Sequence, residues 1–199
     1  MSRLVILASK STARRAVLQG AGVPFEIAVS GVDEEALKTT LLQRGADPRA
    51  IAGALAEEKA LAVSRTRAGA IVIGADQTLD LDGRLYDKVE TLAAAAERLR
   101  LLRGRPHKLH SAVTAAVDGK IVWRETISAE LAMRDFSEAF LDAYLAAEGD
   151  AALGSVGCYR LESLGSQLFA RIDGDYFTIL GLPLMGLLEL LRQHEVLPA

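Results

Sequence analysis

The chain has 199 residues, half of them apolar, and a formal net charge of −3. That is enough apolar material for one large domain or two closely packed lobes, and the slight acidity excludes wholesale nucleic-acid binding, which leaves a basic excess. Cys158 is the single cysteine, so no internal disulfide forms; this fits a reducing cytoplasm, and the residue reads as a small buried apolar side chain.

In chain order, residues 3–8 read as a buried strand, too short and too soon followed by charge for a signal peptide. Ser11 or Thr12 caps a helix through about Gln19, which Gly20 and Gly22 end. A second strand is expected over 24–30, and an Ala-rich helix over 48–66 with Leu55, Lys59 and Val63 at helical spacing. Residues 71–74 form a fully buried strand, β-branched and without polar alternation. A hairpin turns at Asp82-Gly83, and a helix over 91–103 starts at the cap Thr91 with Leu92, Ala95, Leu99 and Leu102 as its apolar stripe. Strands over 108–117 and 120–133 are joined by Asp118-Gly119, and a helix over 137–147 turns Phe140, Leu141 and Tyr144 inward. After a loop-rich stretch over 154–165, strands over 167–172 and 176–180 make a hairpin through Asp173-Gly174. Pro183 then opens the last helix in its first turn. The apolar run 177–188 contains Gly181, Pro183 and Gly186 and falls short of the ~20 residues of a membrane span. Helices alternating with strands and hairpins predict an α/β protein with a mixed central sheet, a single domain over 1–199 with two lobes around a cleft.

Basic and acidic stretches lie side by side in this pattern. L-A-S-K-S-T-A-R-R runs from Leu7 to Arg15, and Val32-Asp33-Glu34 follows soon after. G-A-D-Q-T at Gly74 to Thr78 puts Asp76 just past a buried strand, with Asp87-Lys88 beyond it. Cations for phosphates and carboxylates for a metal suggest chemistry on a nucleoside triphosphate. Read one at a time, each piece has a plainer meaning. The first loop is an ordinary capped helix start with surface arginines, or a phosphate grip made of Ser9, Ser11, the helix N-terminus and one of Arg14 and Arg15. It lacks the glycines of a P-loop. Asp33-Glu34-Glu35 is a solvated helix start or a source of a metal ligand. Asp76 caps a turn, or stands where α/β sheets place their sites. Lys59 and Lys88 alone are surface lysines. His107 and His110, three apart on a strand, point to opposite faces and do not make a zinc site.

Taken together, these motifs resemble the Maf family of nucleoside triphosphate pyrophosphatases. The likeness runs almost end to end: the first loop, V-D-E at Val32 to Glu34, E-E-K at Glu57 to Lys59, G-A-D-Q-T, D-K at Asp87-Lys88, L-R-G at Leu102 to Gly104, G-C-Y-R-L-E at Gly157 to Glu162 and G-L-P-L at Gly181 to Leu184. The resemblance implies the Maf/ITPase-like fold, a strongly twisted sheet, a divalent cofactor (Mg²⁺, Mn²⁺ or Co²⁺), a nucleoside triphosphate substrate, a homodimer and a cytoplasmic location. It gives Asp76 the part of catalytic carboxylate and metal ligand, Glu34 that of metal ligand, and Ser9, Arg14, Lys59 and Lys88 the phosphates. It implies three specificity positions: Ala13, Gln77 and Glu162. Thr12 and Ala13 depart from the usual proline and large side chain, Val89 from proline, and Ser163 from glycine. The pair Gln77 and Glu162 is similar to the 7-methyl-GTP subfamily. A carboxylate suits the two adjacent donors of the guanine edge and the positive charge that N7-methylation adds. The alternatives are dTTP, UTP or other modified nucleotides, and a non-catalytic regulator of septum formation.

Overall fold

The computed structural model describes residues 3–198. β1 (Val5–Ala8) is buried throughout and leads into α1 (Thr12–Gly20), where Ser11 rather than Thr12 is the cap: its hydroxyl accepts from the Arg14 N–H. β2 (Glu26–Ile27) is much shorter than the strand expected over 24–30, because its two residues stay exposed and pair only with β1. α2 (Glu34–Gln43) has Asp33 as its cap and buries none of its residues. α3 (Pro48–Ser64) starts on Asp47 with proline in its first turn.

β3 (Ile71–Leu81) runs well past the expected end at Gly74, then turns at Asp82-Gly83 into β4 (Arg84–Tyr86). α4 (Leu92–Leu102) buries Ala95, Leu99 and Leu102, whereas Leu92 is at the surface. β5 (Pro106–Val117), β6 (Lys120–Met133), α5 (Glu138–Glu148), β7 (Phe169–Asp173), α6 (Tyr176–Ile179) and α7 (Leu184–Gln193) complete the fold. The hairpin expected between 167–172 and 176–180 does not form. Aromatic and β-branched residues suggest a strand there, but the Asp175 carboxylate accepts from the Thr178 N–H and closes a one-turn helix instead. Pro183 is the cap of α7, one place before the helix proper.

The strand order is β2-β1-β3-β5-β6-β7, with β4 beside the far end of β3. β2, β1 and β3 are parallel; β3, β5, β6 and β7 are antiparallel. The sheet is mixed, as the alternation of helices and hairpins predicts. On one edge of β3, β1 pairs as far as Gly74 and β4 begins only at Leu79. Among the described residues, 75–78 therefore have β5 on one side and no strand on the other.

The core divides at the same place. Ile73 and Ala75 pack with β1, α1 and α7, whereas Leu79 and Leu81 pack with α4 and α5. These are the two lobes, and a cleft lies at the seam, where β3 passes from one core to the other. Among the described residues no helix is long and apolar enough to cross a membrane.

Candidate active site

Strand alternation sends Gly74, Asp76 and Thr78 to one face of β3, against α3. A Cβ on Gly74 would lie 2.2 Å from the Ala56 carbonyl oxygen and 2.5 Å from the Ala60 nitrogen. Only glycine lets the helix seat this close, and that seating brings Lys59 over Asp76. The Lys59 Nζ is 2.7 Å from Asp76 Oδ1 and 2.8 Å from Glu34 Oε2. Thr78 Oγ1 donates to the Pro48 carbonyl at 2.8 Å and ties the start of α3 to the same strand. Two expectations change here. Asp76 lies inside the strand, not past its end, and Lys59 is buried, not a surface lysine. Its place four residues from both Leu55 and Val63 on a buried stripe is the signal for that.

Ala75 and Gln77 face the opposite way. Arg14 is the arginine of the pair that faces the cleft. Its Nη1 donates to the Ala75 carbonyl at 3.0 Å and to Ser9 Oγ at 3.1 Å, and its Nε donates to the Gly181 carbonyl at 2.7 Å. Burial lowers its pKa from the ordinary arginine value, and the charges of Asp76 and Glu34 oppose the change. Ser9 Oγ also accepts from the Ser11 N–H, so its oxygen is committed while its own proton is available to a phosphate. Gln77 Nε2 has three acceptors: Ser111 Oγ at 2.9 Å, Thr178 O at 3.1 Å and Ile179 O at 3.0 Å. Two of these are carbonyls, so the nitrogen must face them and Oε1 is left free. Ala13, half-buried on the first turn of α1, lines the cleft near them.

At the mouth, Lys88 is exposed, and Glu34 is half-exposed on the exposed helix α2. Loss of water around it, then the charge of Arg14, lowers the Lys88 pKa despite the attraction of Asp76. Lys10 also lines the cleft. Among the described residues neither Lys10 nor Lys88 has an ion-pair partner, which leaves both for an anionic ligand. Lys10 was not among the expected site residues, although it sits between Ser9 and Ser11 in the loop already singled out. Lys38, a second omission, bridges Asp87 at 2.6 Å and Glu35 at 2.9 Å across the opening. The Glu35 contact is an ordinary i,i+3 pair on α2, but no local pattern announces Asp87, which is 49 positions away.

The far wall comes from the loop after α5. Glu162 lines the cleft, with Oε1 3.2 Å from Arg160 Nε, and Arg160 also reaches Glu148 at 3.3 Å. Tyr159 is buried, its Oη 2.7 Å from His107 Nε2. Burial pushes the His107 pKa down to about 4 and the Cys158 thiol up to about 11, so Cys158 is the inert residue expected. His110 bonds Ser128 and Asp80 on the other face. Thus the histidines are structural and do not converge.

The residues expected at the site line one cleft of about 890 Å³, a size that suits a small-molecule ligand. Among the described residues no group of three or more His, Cys, Asp or Glu makes a metal cage. Glu34 and Asp76 do offer hard oxygens around a single ammonium. That donor set fits Mg²⁺ or Mn²⁺, which take one or two carboxylates and fill the remaining places with water and substrate phosphates.

The Maf-like protein family matches residues 4–194. This chain belongs to the Maf family. Among its relatives, a protein of Caulobacter vibrioides named nucleoside triphosphate pyrophosphatase is 58% identical over 97% of this chain and 96% of its own length. Proteins named 7-methyl-GTP pyrophosphatase are 49% identical in Rhizobium meliloti, over the whole of both chains, and 46% identical in Brucella abortus, over 98% of each. The Maf assignment agrees with the mixed seven-stranded sheet and with the end-to-end motif likeness.

Proposed function

We propose that this Maf chain hydrolyses 7-methyl-GTP to 7-methyl-GMP and pyrophosphate, clearing a modified nucleotide from the pool. The coarser activity, nucleoside triphosphate pyrophosphatase, is supported by relatives so named at 46–58% identity over nearly the full chain. One observation carries the reaction class. Asp76 is buried in the stretch of β3 that pairs on one edge only, with Lys59 on one face and Arg14 hydrogen-bonded to the neighbouring carbonyl.

In the reaction a water oxygen bonds to the α-phosphorus, the bridging bond to the β-phosphate breaks, and pyrophosphate leaves. Asp76 accepts the water's proton; Lys59, 2.7 Å away, fixes the orientation of the carboxylate. Ser9 and Arg14 at the start of α1, with Lys88 and Lys10 at the mouth, hold the triphosphate and take up charge as the bond breaks. Glu34 and Asp76 would hold a divalent cation, which supplies charge neutralisation at the phosphates. A base at the other end meets the acceptor Gln77 Oε1 and the Glu162 carboxylate, which suits the donors of a guanine edge. The Arg160 contact uses one Glu162 oxygen and leaves the other for the base. Uracil and thymine turn carbonyls toward such acceptors and leave them unpaired, a mismatch that costs most where the bound base excludes water.

Ala13 favours a second reading, a broader modified-nucleotide pyrophosphatase, because it offers no ring to stack on a cationic base. A pyrophosphate-release assay across 7-methyl-GTP, GTP, UTP, dTTP and CTP with Mg²⁺, Mn²⁺ or Co²⁺ separates the two. Preference for 7-methyl-GTP is expected. Equal rates on all five would favour the broader reading, and no turnover of any would remove the enzymatic one.

A further inference from the structure

Two cleft side chains with different tasks, Arg14 and Gln77, are held by one short piece of chain. The Gly181 carbonyl accepts from Arg14 Nε at 2.7 Å. The Thr178 carbonyl accepts from Gln77 Nε2 at 3.1 Å and from Ser111 Oγ at 2.6 Å, and the Ile179 carbonyl from Gln77 Nε2 at 3.0 Å. The last carbonyls of a helix have no partner within it. At the end of α6 the Tyr176 and Phe177 carbonyls accept from the N–H groups of Leu180 and Leu182, the Thr178 carbonyl is shared between the Gly181 N–H and the two side chains, and the Ile179 carbonyl is left to Gln77.

The segment is closed at both ends. At its start the two Asp175 oxygens accept from the Thr178 N–H, at 2.9 Å, and from the Thr178 hydroxyl. At its end Gly181 has φ +89°, and a Cβ there would stand 3.3 Å from Arg14 Nε, 3.4 Å from Arg14 Nη2 and 3.6 Å from Gln77 Cδ. Glycine is what allows this backbone to approach both side chains. The carbonyls can only accept, so they fix which end of the Gln77 amide faces away from them. With the nitrogen held, the cleft is presented with oxygen.

We propose that residues 175–181 are a positioning element that sets the orientation of Gln77 and Arg14, and that through Gln77 this element governs nucleotide choice. Asp175 is exposed and lies outside the cleft lining, so it acts through the turn it caps and not by touching substrate. The inference rests on the function proposed above only in taking Gln77 to face the base. It also assigns a task to the first residue of the G-L-P-L motif.

The test compares Asp175→Ala, Asp175→Asn and Gly181→Ala with the wild type. Dissociation constants for the α,β-methylene triphosphates of 7-methylguanosine and uridine are measured by calorimetry, with tripolyphosphate as a probe of the phosphate end. Asp175→Ala is expected to narrow the ratio of the two nucleotides about tenfold, the scale of a lost cap, with tripolyphosphate unchanged. Asp175→Asn, which still caps, keeps the ratio within about twofold. Gly181→Ala weakens tripolyphosphate as well, because it displaces Arg14. An Asp175→Ala ratio equal to that of the wild type, whatever its melting temperature, overturns the proposal. Should that variant not fold, Thr178→Val removes only the hydroxyl bond and must shift the ratio in the same direction; an unchanged ratio is equally decisive. A wild type that prefers uridine refutes 7-methyl-GTP as substrate yet leaves the positioning element to be read from the shift. A wild type with no preference refutes both.

Discussion

The two ends of the cleft are built by different means. At the Asp76 end, charged groups are held by regular elements: a strand, a long helix pressed onto Gly74, and a lysine shared between two carboxylates. At the Glu162 end, a loop supplies the side chains, and their positions rest on ion pairs with Arg160 and on the bond between Tyr159 and His107. The first end is seated by backbone packing on Gly74; the second is held by polar contacts, with Gln77 of β3 lying between the two, fixed by the carbonyls of Thr178 and Ile179.

Asp76→Asn is the harshest test of that contrast. Turnover should fall on the order of a thousandfold while nucleotide binding persists, measured by pyrophosphate release beside calorimetry. Retained activity would remove Asp76 from the chemistry. Next, Lys59→Met leaves Asp76 buried beside Glu34 without its cation, and should cost about 3 kcal/mol of stability. Urea denaturation checks this, and an unmoved midpoint would mean that the phosphate end is not held by that pair.

The base end has a weaker, pH-dependent support in His107. Its folded pKa of about 4 lies below the ordinary 6.5, so the unfolded chain takes up the proton first. Stability should be full above about pH 6.5, fall as the pH drops toward 4 and level off below, with roughly 2 kcal/mol lost between pH 7 and 5. His107→Gln should flatten that part of the curve. The smallest effect is expected from Glu162→Gln, which should shift preference toward UTP and dTTP by about tenfold without lowering the best rate. An unchanged ranking would break the division between the two ends.

The same contrast governs what could be read from the chain alone. Asp76, Arg14 and Lys88 stand in compact motifs, so their place at one cleft is legible; Lys59 alone reads as a surface lysine, and only its stripe with Leu55 and Val63 points to its burial. Segment 176–180 reads as a strand from its aromatic and β-branched composition, whereas the Asp175 cap on the Thr178 N–H closes a helical turn there. The bond between Arg14 and Gly181 spans 167 positions, and that between Lys38 and Asp87 spans 49. Neither leaves a local trace, because tertiary packing alone decides which distant groups meet.

The unpartnered edge of β3 at 75–78 has one more consequence. An unpaired strand edge open to solvent is a template on which a stray strand can add, and such edges seed aggregation. Here the Arg14 guanidinium occupies the Ala75 carbonyl, and the cleft around it is lined with charge. Ala75, Asp76 and Thr78 are themselves buried and Gln77 is half-buried, so the packing that leaves room for the cleft also keeps this edge out of reach of a stray strand.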